Sequence, residues 1–347
     1  MLPIEPPFAP MDALPVARIP AGPDWQYEPK WDGFRCLVFK DGGAVDLQSK
    51  KTEPLGRYFP ELVAALEQVK ADRFVIDGEI VVPAGAANSF DDLLQRIHPA
   101  ASRIAKLSKT HPAKLIVFDL LVEDGKKVAG KPLRERRRLL EKFFQRAIQH
   151  PALELSPAST QLKDAEAWLQ SAGAVLDGVI AKRLDLAYQS GERTGMQKVK
   201  NLRTADCVVG GFRYAAQAPV VGSLLLGLYN QEGLLDHIGF TSGFSQNERK
   251  KLLKVVEPLI EKPGFTGKAP GGPSRWSGKR SMEWQPLKPE LVVEVQYDHF
   301  TGNRFRHGTK ILRWRPDKAP RACTIDQVDQ LQSLVGASFN RRSEVRN

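Results

Sequence analysis

The spacing of apolar residues changes near residue 203, and this change constrains the fold more than any other feature of the chain. Before that point, short apolar runs alternate with segments in which apolar residues recur at helical spacing, which is typical of α+β or mixed α/β domains. Residues 1–24 are proline-rich and predict an extended lead. The predicted strands that follow are 36–39, 44–47, 74–76, 80–82, 114–121 and 175–182, and the predicted helices are 60–69, 90–97, 133–149 and 165–172.

Beyond residue 203 the apolar runs become short and are separated by turn residues, with one segment of helical spacing among them. The predicted strands are 207–212, 223–229, 234–240, 291–297 and 311–315, and the predicted helix is 245–261. Five short strands with one helix are typical of a small barrel of the oligonucleotide-binding (OB) type. The sequence therefore predicts an α+β domain at 1–203, an OB-fold β-barrel domain at 204–322 and a C-terminal tail at 323–347.

The chain is strongly basic, with a formal charge of +11 and a pI near 9.5. Such a balance favours a polyanionic partner such as nucleic acid. Basic residues cluster at 198–203, 275–280 and 304–318. The predicted loop at 263–289 contains the second of these clusters and is a candidate clamp on DNA. The run from Arg134 to Arg138 is interpreted as the solvated face of a helix.

The cysteines and the apolar segments constrain the cellular compartment. Cys36, Cys207 and Cys323 are far apart in the sequence and show no metal-ligand spacing, which predicts buried, reduced thiols. The start of the chain lacks the pattern of a signal peptide, and no run reaches the roughly 20 apolar residues of a membrane span. We expect a soluble monomer in the bacterial cytoplasm.

The segment from Glu28 to Arg35, with Lys30, Asp32 and Gly33 inside it, carries the strongest chemical signal. A lysine with an ordinary pKa of about 10.4 is rarely nucleophilic near pH 7. Nearby cations and burial increase the neutral fraction, and an acid can orient the amine. A lysine with an acid two residues later and an arginine five residues later is therefore a candidate nucleophile for attack on phosphorus.

Further polar segments follow Lys30 in a fixed order, mostly at the ends of predicted strands. They are Ser49-Lys50, Asp77-Gly78-Glu79, Phe118-Asp119, Asp177-Gly178 with Lys182, Lys198-Val199-Lys200 and Arg315-Pro316-Asp317-Lys318. The ordered set resembles motifs I to VI of the covalent nucleotidyltransferases. It is most similar to the bacterial ATP-dependent DNA ligases of the C type, which consist of a nucleotidyltransferase (ATP-grasp-like) catalytic domain and an OB domain.

This resemblance implies an enzyme that seals nicks in duplex DNA, with 5′-phosphate and 3′-hydroxyl ends, in three steps. Lys30 would attack the α-phosphate of ATP, release pyrophosphate and form lysyl-AMP. The AMP would pass to the 5′-phosphate at the nick, and the 3′-hydroxyl would then displace it. The family also implies Mg²⁺ or Mn²⁺ as the metal and a role in DNA repair, by excision repair or end joining.

The resemblance also implies a role for each matched residue. Glu28 would flank the adenine, Phe118 would stack on it, and Arg35 with Glu79 would hold the ribose. Lys198 and Lys200 would bind the α-phosphate, and Asp32 and Asp177 would support the metal. The remaining nucleotide contacts would come from Lys50, Lys182, Arg315, Asp317 and Lys318, the last three orienting the pyrophosphate.

Three positions depart from the family pattern. Asp177 stands where a glutamate is usual, which shortens the reach by one methylene. Lys50 stands where the family has an arginine, so bidentate contact with phosphate is lost. Met196 replaces a common aromatic residue, which we interpret as a packing change. No required charge is removed, so we expect activity to survive.

Three alternatives are weighed against a DNA ligase. An mRNA capping guanylyltransferase would also contain an OB domain and would use GTP and RNA ends. An RNA ligase fits less well, because many lack an OB domain with the last motif. A catalytically silent nucleic-acid-binding protein would suit the charge and the barrel, but the retention of Lys30, Lys198 and Lys200 argues against it.

Overall fold

The computed structural model describes residues 1–85, 87–171, 176–271 and 283–328. The chain divides into two compact units, Met1–Asn201 and Leu202–Asn347. Each unit has an apolar core of its own. The basic cluster 275–280 of the suggested clamp, residues 172–175 and the tail from 329 onward lie outside the described residues.

The first unit contains two main sheets and five α-helices among its described residues. Its strands are β1 (Leu14–Pro15), β2 (Trp25–Trp31), β3 (Phe34–Asp41), β4 (Ala44–Ser49), β5 (Arg73–Val81), β6 (Pro83–Ala84), β7 (Ala87–Asn88), β8 (Lys114–Glu123), β9 (Lys126–Lys127), β10 (Leu153–Leu155), β11 (Leu176–Arg183) and β12 (Met196–Val199). Its helices are α1 (Pro60–Glu67), α2 (Phe90–Arg96), α3 (Ala101–Thr110), α4 (Leu133–Ala147) and α5 (Leu162–Gln170), with a 3₁₀ turn at Gly56–Tyr58.

The smaller sheet has the strand order β1-β12-β11-β2 and separates apolar from charged side chains. Alternate residues of a strand point to opposite faces. On one face, Tyr27, Val179 and Ala181 are buried against Ala165 of α5. The opposite face carries Glu28 and Lys30 of β2, Lys182 of β11 and Lys198 of β12, so this sheet presents these charged side chains from a rigid framework.

The larger sheet has the order β10-β8-β5-β3-β4 and is covered by apolar side chains on both faces. Its residues Val38, Ile76 and Val117 pack in one cluster with Leu66 of α1 and Phe143 of α4. In the cluster on the other face, Leu37, Phe39 and Val75 lie with Leu2 and Ile4 of the N-terminal segment. The predicted strands 74–76 and 80–82 are one continuous strand, β5.

Two basic side chains inside the first unit are structural. The Lys40 ammonium group is buried and donates to the carbonyls of Leu66, Glu67 and Val69 at 2.9–3.1 Å, at the C-terminal end of α1. Such a cation satisfies carbonyl groups that have no partner within the helix. Arg136 of α4 is also buried and forms two hydrogen bonds with Asp119, of 2.8 and 2.9 Å. The interpretation of 134–138 as a solvated face is therefore wrong at Arg136.

The second unit is a strand-rich barrel. Its strands are β13 (Arg203–Ala215), β14 (Ala218–Tyr229), β15 (Leu235–Thr241), β16 (Gln285–Pro286), β17 (Val292–Tyr297), β18 (Phe300–Thr301), β19 (Arg304–Phe305) and β20 (Lys310–Trp314). The order β15-β14-β13-β17-β20 is completed by a parallel bridge between Thr241 of β15 and Thr309, the residue that directly precedes β20. The five-stranded arrangement is that of an OB-fold.

Helix α6 (Gln246–Val256) lies in the second unit and is followed by a 3₁₀ turn at Glu257–Leu259. Ser245 and Glu248 form a capping box at its start, which satisfies two backbone donors. The predicted helix extended to residue 261. It ends earlier because Pro258 has no N–H group to donate in a helix. A further 3₁₀ turn lies at Pro320–Ala322.

The buried state of the three cysteines is as predicted, and all three are free thiols. No helix among the described residues is both long and apolar enough to cross a membrane.

Candidate active site

The first unit contains a cavity of about 530 Å³. This volume lies in the range of sites for small molecules and cofactors. Eight of the residues predicted from the sequence line it: Glu28, Lys30, Arg35, Lys50, Glu79, Phe118, Lys182 and Lys198. Residues from motifs that are far apart in the sequence therefore line the same cavity.

One wall of the cavity is the charged face of the smaller sheet. Glu28 and Lys30 of β2 are two residues apart and share this face, as do Ile180 and Lys182 of β11. The register places Glu28 opposite Ile180, which in turn lies opposite Lys198 of β12. The predicted contacts from three separate motifs thus stand side by side.

Glu28 is almost completely buried and has two polar partners. Lys182 Nζ lies 2.8 Å from Glu28 Oε2, and Gln26 Nε2 donates to Glu28 Oε1 at 2.8 Å. Burial of a charged pair requires such compensation. The arrangement fixes the orientation of Glu28 and Lys182 at one end of the cavity.

The second wall comes from β3 and β5 of the larger sheet. Arg35 is paired with Glu79 in the antiparallel register, and Asp77 lies two pairs further along, on the same face of β5. The Arg35 guanidinium group forms two hydrogen bonds of 2.6 Å with Asp77. Tyr188 Oη donates to the same carboxylate at 2.6 Å and accepts from the Met11 N–H at 2.9 Å. A bidentate pair of this kind holds the arginine in one orientation.

Phe118 of β8 lies next to both cationic groups of these walls. The Arg35 guanidinium carbon and Lys182 Nζ are each 4.6 Å from the centre of the Phe118 ring. Such cation–π contacts favour a defined ring position. The ring is 7% exposed and lines the cavity, so the structure places it within reach of a bound ligand.

Lys30 donates a short hydrogen bond to the buried carboxylate of Asp177. Lys200 Nζ lies 3.3 Å from the same Asp177 oxygen. The close approach depends on Gly178, which has φ +134° and whose added Cβ would lie 2.0 Å from the Val199 carbonyl oxygen. Only glycine fits this position, so Gly178 lets the backbones of β11 and β12 approach closely, which brings Lys200 to the carboxylate that Lys30 of β2 also contacts.

The glycine of the Lys30 segment, Gly33, is required for a similar steric reason. A Cβ on Gly33 would lie 2.1 Å from the Ile80 carbonyl oxygen. The turn between β2 and β3 therefore lies directly against β5. This contact joins Lys30 on one sheet to Arg35 on the other within a single short segment.

Burial and mutual repulsion affect the charged groups of the cavity. Partial burial is the largest cause of a lowered pKa at Lys198, and repulsion from Lys30, Lys50 and Lys200 adds to it, while Asp12 acts in the opposite direction. Burial raises the pKa of Glu79 to about 7, although Arg35 and Lys30 oppose this change. The cavity thus combines poorly solvated cations with a carboxyl group that titrates near neutrality.

The carboxyl groups predicted to support a metal are both near Lys30. Asp177 contacts its amine, and Asp32, in the turn between β2 and β3, adds to the raised pKa of Glu79. Carboxylate oxygens are the ligands that Mg²⁺ prefers, usually with several retained waters. The chemistry of this donor set therefore fits a divalent cation.

The sequence alone did not reveal four partners of the predicted residues. Asp77 holds Arg35 and is itself held by Tyr188, Gln26 holds Glu28, and Asp12 contacts Lys50 at 2.8 Å. Asp77 belongs to a recognised motif and alternates with Glu79 along β5, so period-2 spacing places it on the same face. No comparable local signal exists for Tyr188 or Asp12, because their partners are distant in the sequence.

The predicted residues of the last motif form a cluster within the second unit. Arg315 Nη1 lies 2.9 Å from Asp206 Oδ1, and Lys318 Nζ lies 3.2 Å from Asp206 Oδ2. Arg315 also donates to Asp317 at 2.8 Å. This hydrogen bond is the main cause of the lowered pKa of Asp317, about 2. The cluster keeps both cations oriented on the barrel surface.

A fold of this kind, an α+β unit with a lysine-rich cavity followed by an OB-type barrel, is that of nucleotidyltransferases with an OB domain. Two family models match the chain: the ATP dependent DNA ligase domain over residues 12–200 and the ATP dependent DNA ligase C terminal region over residues 217–318. The chain therefore belongs to the ATP-dependent DNA ligases, enzymes whose substrates are ATP and DNA.

Individual relatives agree with this assignment. DNA ligase C2 of Mycolicibacterium smegmatis is 46% identical over 345 residues, which cover 94% of this chain and 96% of that protein. The predicted similarity to C-type ligases is thereby confirmed. The multifunctional non-homologous end joining DNA repair protein LigD of Mycobacterium tuberculosis is 31% identical over 300 residues, 85% of this chain but 37% of that protein.

A solved structure of a Lig E DNA ligase, described as binding DNA with a minimal scaffold, supports the fold. That structure matches this chain with a TM-score of 0.55 and 18% sequence identity, over 88% of this chain and 100% of that chain. At this identity the likeness concerns the fold alone.

Proposed function

We propose that this chain seals nicks in duplex DNA, with Lys30 as the residue that accepts AMP from ATP. The observation that carries the proposal is the position of Lys30. Its amine lies at a nucleotide-sized cavity, is held by Asp177, and is surrounded by the further cations Lys198 and Lys200. An amine held in this way can be aimed at an entering phosphorus atom.

The three steps of sealing conserve atoms and charge. The Lys30 nitrogen forms a bond to the α-phosphorus of ATP, loses a proton, and pyrophosphate leaves. An oxygen of the DNA 5′-phosphate then bonds to the same phosphorus, and the bond to the Lys30 nitrogen breaks as that nitrogen takes up a proton. In the last step the 3′-hydroxyl loses its proton, its oxygen bonds to the 5′-phosphorus, and AMP leaves.

The surrounding residues assist these steps by position and charge. Asp177 holds the Lys30 side chain in one orientation at the cavity. Lys198 and Lys200 then face the negative charge that develops on the transferred phosphate. Phe118 offers a ring face to the adenine, while Arg35 and Glu79 offer hydrogen bonds to the ribose. In the second unit, Arg315, Asp317 and Lys318 orient the leaving pyrophosphate.

Mg²⁺ or Mn²⁺ would be held near Asp32 and Asp177, directly or through water, and would supply charge neutralisation at the phosphates. The similarity to the DNA repair protein LigD supports a role in repair.

The test is formation of a covalent adduct from ATP labelled at the α-phosphate, followed by sealing of a 5′-phosphorylated nicked duplex. Lys30→Ala should form no adduct and seal no nicks. Lys126→Ala, which removes an exposed lysine of β9 outside the cavity, should behave like the unaltered protein. Adduct formation by the Lys30 variant would exclude Lys30 as the acceptor, and labelling by GTP in place of ATP would favour a capping enzyme.

A further inference from the structure

Asp12 places a carboxylate in the wall of the cavity among groups expected to bind phosphate. The backbone holds it there. The Asp12 N–H donates to the Glu192 carbonyl at 2.8 Å, and the following strand β1 pairs in parallel with β12, with Pro15 opposite Lys198. The Ala13 N–H donates to Asp12 Oδ1 at 2.9 Å. The side chain therefore has a fixed position.

The surroundings of this carboxylate are cationic. Lys50 Nζ lies 2.8 Å from Asp12 Oδ1, and Arg193 Nε lies 3.7 Å from Asp12 Oδ2. Asp12 is close enough to Lys198 to oppose the lowering of the Lys198 pKa. Burial acts to raise the pKa of Asp12, but contacts with Lys50, the Ala13 N–H and Lys198 lower it overall. The Asp12 carboxylate therefore lies among several cations, in an environment that would also bind a phosphate oxygen.

The Lys50 contact is weak enough to be exchanged. The Lys50 side chain is 55% exposed and that of Asp12 is 25% exposed. Ion pairs in this environment are screened by water and contribute little. A phosphate carries more charge than a carboxylate and makes stronger charge-assisted hydrogen bonds with lysine. An entering phosphate can therefore take Lys50 from Asp12.

We propose that Asp12 is an internal competitor for phosphate at Lys50, bound to it in the ligand-free enzyme and displaced when a substrate phosphate enters. This inference rests on the proposed function and extends it. A lysine that is partly occupied by an internal partner binds its ligand more weakly, in proportion to the fraction that is free. Asp12 thus lowers the affinity for the phosphate and eases its departure.

The phosphate can come from ATP or from the 5′ end of the nick, and separate measurements distinguish the two. The first is titration of ATP into the Lys30→Ala protein, with and without Asp12→Asn, because this binding needs no covalent step. The second is the apparent affinity of pre-adenylated enzyme for nicked DNA that carries or lacks the 5′-phosphate. Asn retains the acceptor for the Ala13 N–H but removes the charge.

Asp12→Asn should tighten one of these two interactions by about two- to fivefold, the range that an exposed ion pair supplies. The gain should vanish in the Lys50→Gln background, because no ammonium group then remains to be released. The control Asp46→Asn removes the same charge from an exposed position of β4 outside the cavity and should change neither interaction.

Tighter ATP binding assigns the displaced contact to the nucleotide, and tighter binding only of 5′-phosphorylated nicks assigns it to DNA. Weaker binding in both measurements would show that Asp12 orients Lys50, and unchanged binding would show no competition; either result overturns the proposal. Failure to form lysyl-AMP at all would reject the proposed nucleophile but would leave the ATP titration interpretable.

Discussion

Arg35 and Asp77 are joined by two hydrogen bonds of 2.6 Å, one from Nε to Oδ1 and one from Nη2 to Oδ2. Asp77 is completely buried, whereas the Arg35 side chain is 19% exposed. The pair therefore has a buried end, which anchors it, and an end that reaches the cavity. Asp77 is a positioning residue for Arg35, and Tyr188 Oη donates a further hydrogen bond to Asp77 Oδ2.

Asp77→Asn should weaken both the fold and ATP binding, because it leaves a guanidinium group without its counter-charge. Loss of one partner of a buried ion pair costs about 3–5 kcal/mol. We expect a lower free energy of unfolding in urea and a KM for ATP raised at least about tenfold. Tyr188→Phe keeps the charge pair and should cost about 1 kcal/mol. If Asp77→Asn and Tyr188→Phe lowered the free energy of unfolding by the same amount, the charge of Asp77 would have no role beyond its hydrogen bonds.

Phe118→Leu should raise the KM for ATP in adduct formation by about three- to tenfold, the range of an aromatic stacking contact. The rate at saturating ATP should change little, because the ring binds the base rather than the reacting phosphate. Phe118→Tyr retains the ring and serves as the matched control. A normal KM in the leucine variant would mean that the ring is only part of the core.

The pKa of Glu79, about 7 in the folded protein, predicts a pH dependence of stability. The ordinary pKa of 4.5 applies to the unfolded chain, so the folded state holds the proton more tightly between these values. Stability must therefore fall as the pH rises from about 4.5 to 7, by up to about 3 kcal/mol.

Glu79→Gln cannot ionise and should lack this component of the pH dependence. The measurement is the free energy of unfolding at pH 5 and pH 7.5. Glu166→Gln, at an exposed position of α5, removes one carboxyl group elsewhere and should follow the unaltered protein. A parallel pH dependence in the Glu79 variant would show that its burial has no such effect.

We expect the exposed basic residues of helix α3 to contribute part of the salt dependence of DNA binding. It carries three exposed basic residues and no acidic residue: Arg103, Lys106 and Lys109. If all three neutralise DNA phosphates, their replacement by glutamine should reduce the slope of log affinity against log salt concentration by about 2–3. Affinity for nicked duplex DNA, measured over a series of salt concentrations, gives this slope.

The matched control lies on α4, whose exposed basic residues Arg134, Arg138 and Lys142 are spaced one helical turn apart. This helix also carries Glu135 and Glu141, which pair with neighbouring cations. We expect a smaller change of slope from replacing these three residues. The opposite ranking would place the DNA contact on α4.

The sequence predicted the alternating elements of the first unit and the five main strands of the barrel, because their apolar periodicity is strong. It did not predict β2, where Glu28 and Lys30 replace apolar residues on one face and Pro29 interrupts the pattern. Proline is tolerated there since β2 is an edge strand of its sheet. Helix α3 was also missed, as it is short and buries a single side chain, Ile104.

The nucleotide contacts could be predicted as a set because their motifs recur in order, but their supporting partners could not. Asp12 with Lys50, and Tyr188 with Asp77, are contacts between segments far apart in the chain. Arg136 looked like one of several exposed helix charges, and only its pairing with Asp119 shows that it belongs to the interior. Local patterns reveal which face a residue occupies, but tertiary packing decides its partner.

The pairing of β1 with β12 joins Leu14 to Gln197. Residues at the start of the first unit thus complete the cavity together with residues at its end, and the intervening chain must fold before they meet. Contacts of such long sequence separation form slowly, because a large loop must close first. During synthesis, a ribosome-bound chain that stops short of Val199 has most of the sheets but no finished cavity, so ATP should become able to bind only after nearly the whole first unit has emerged.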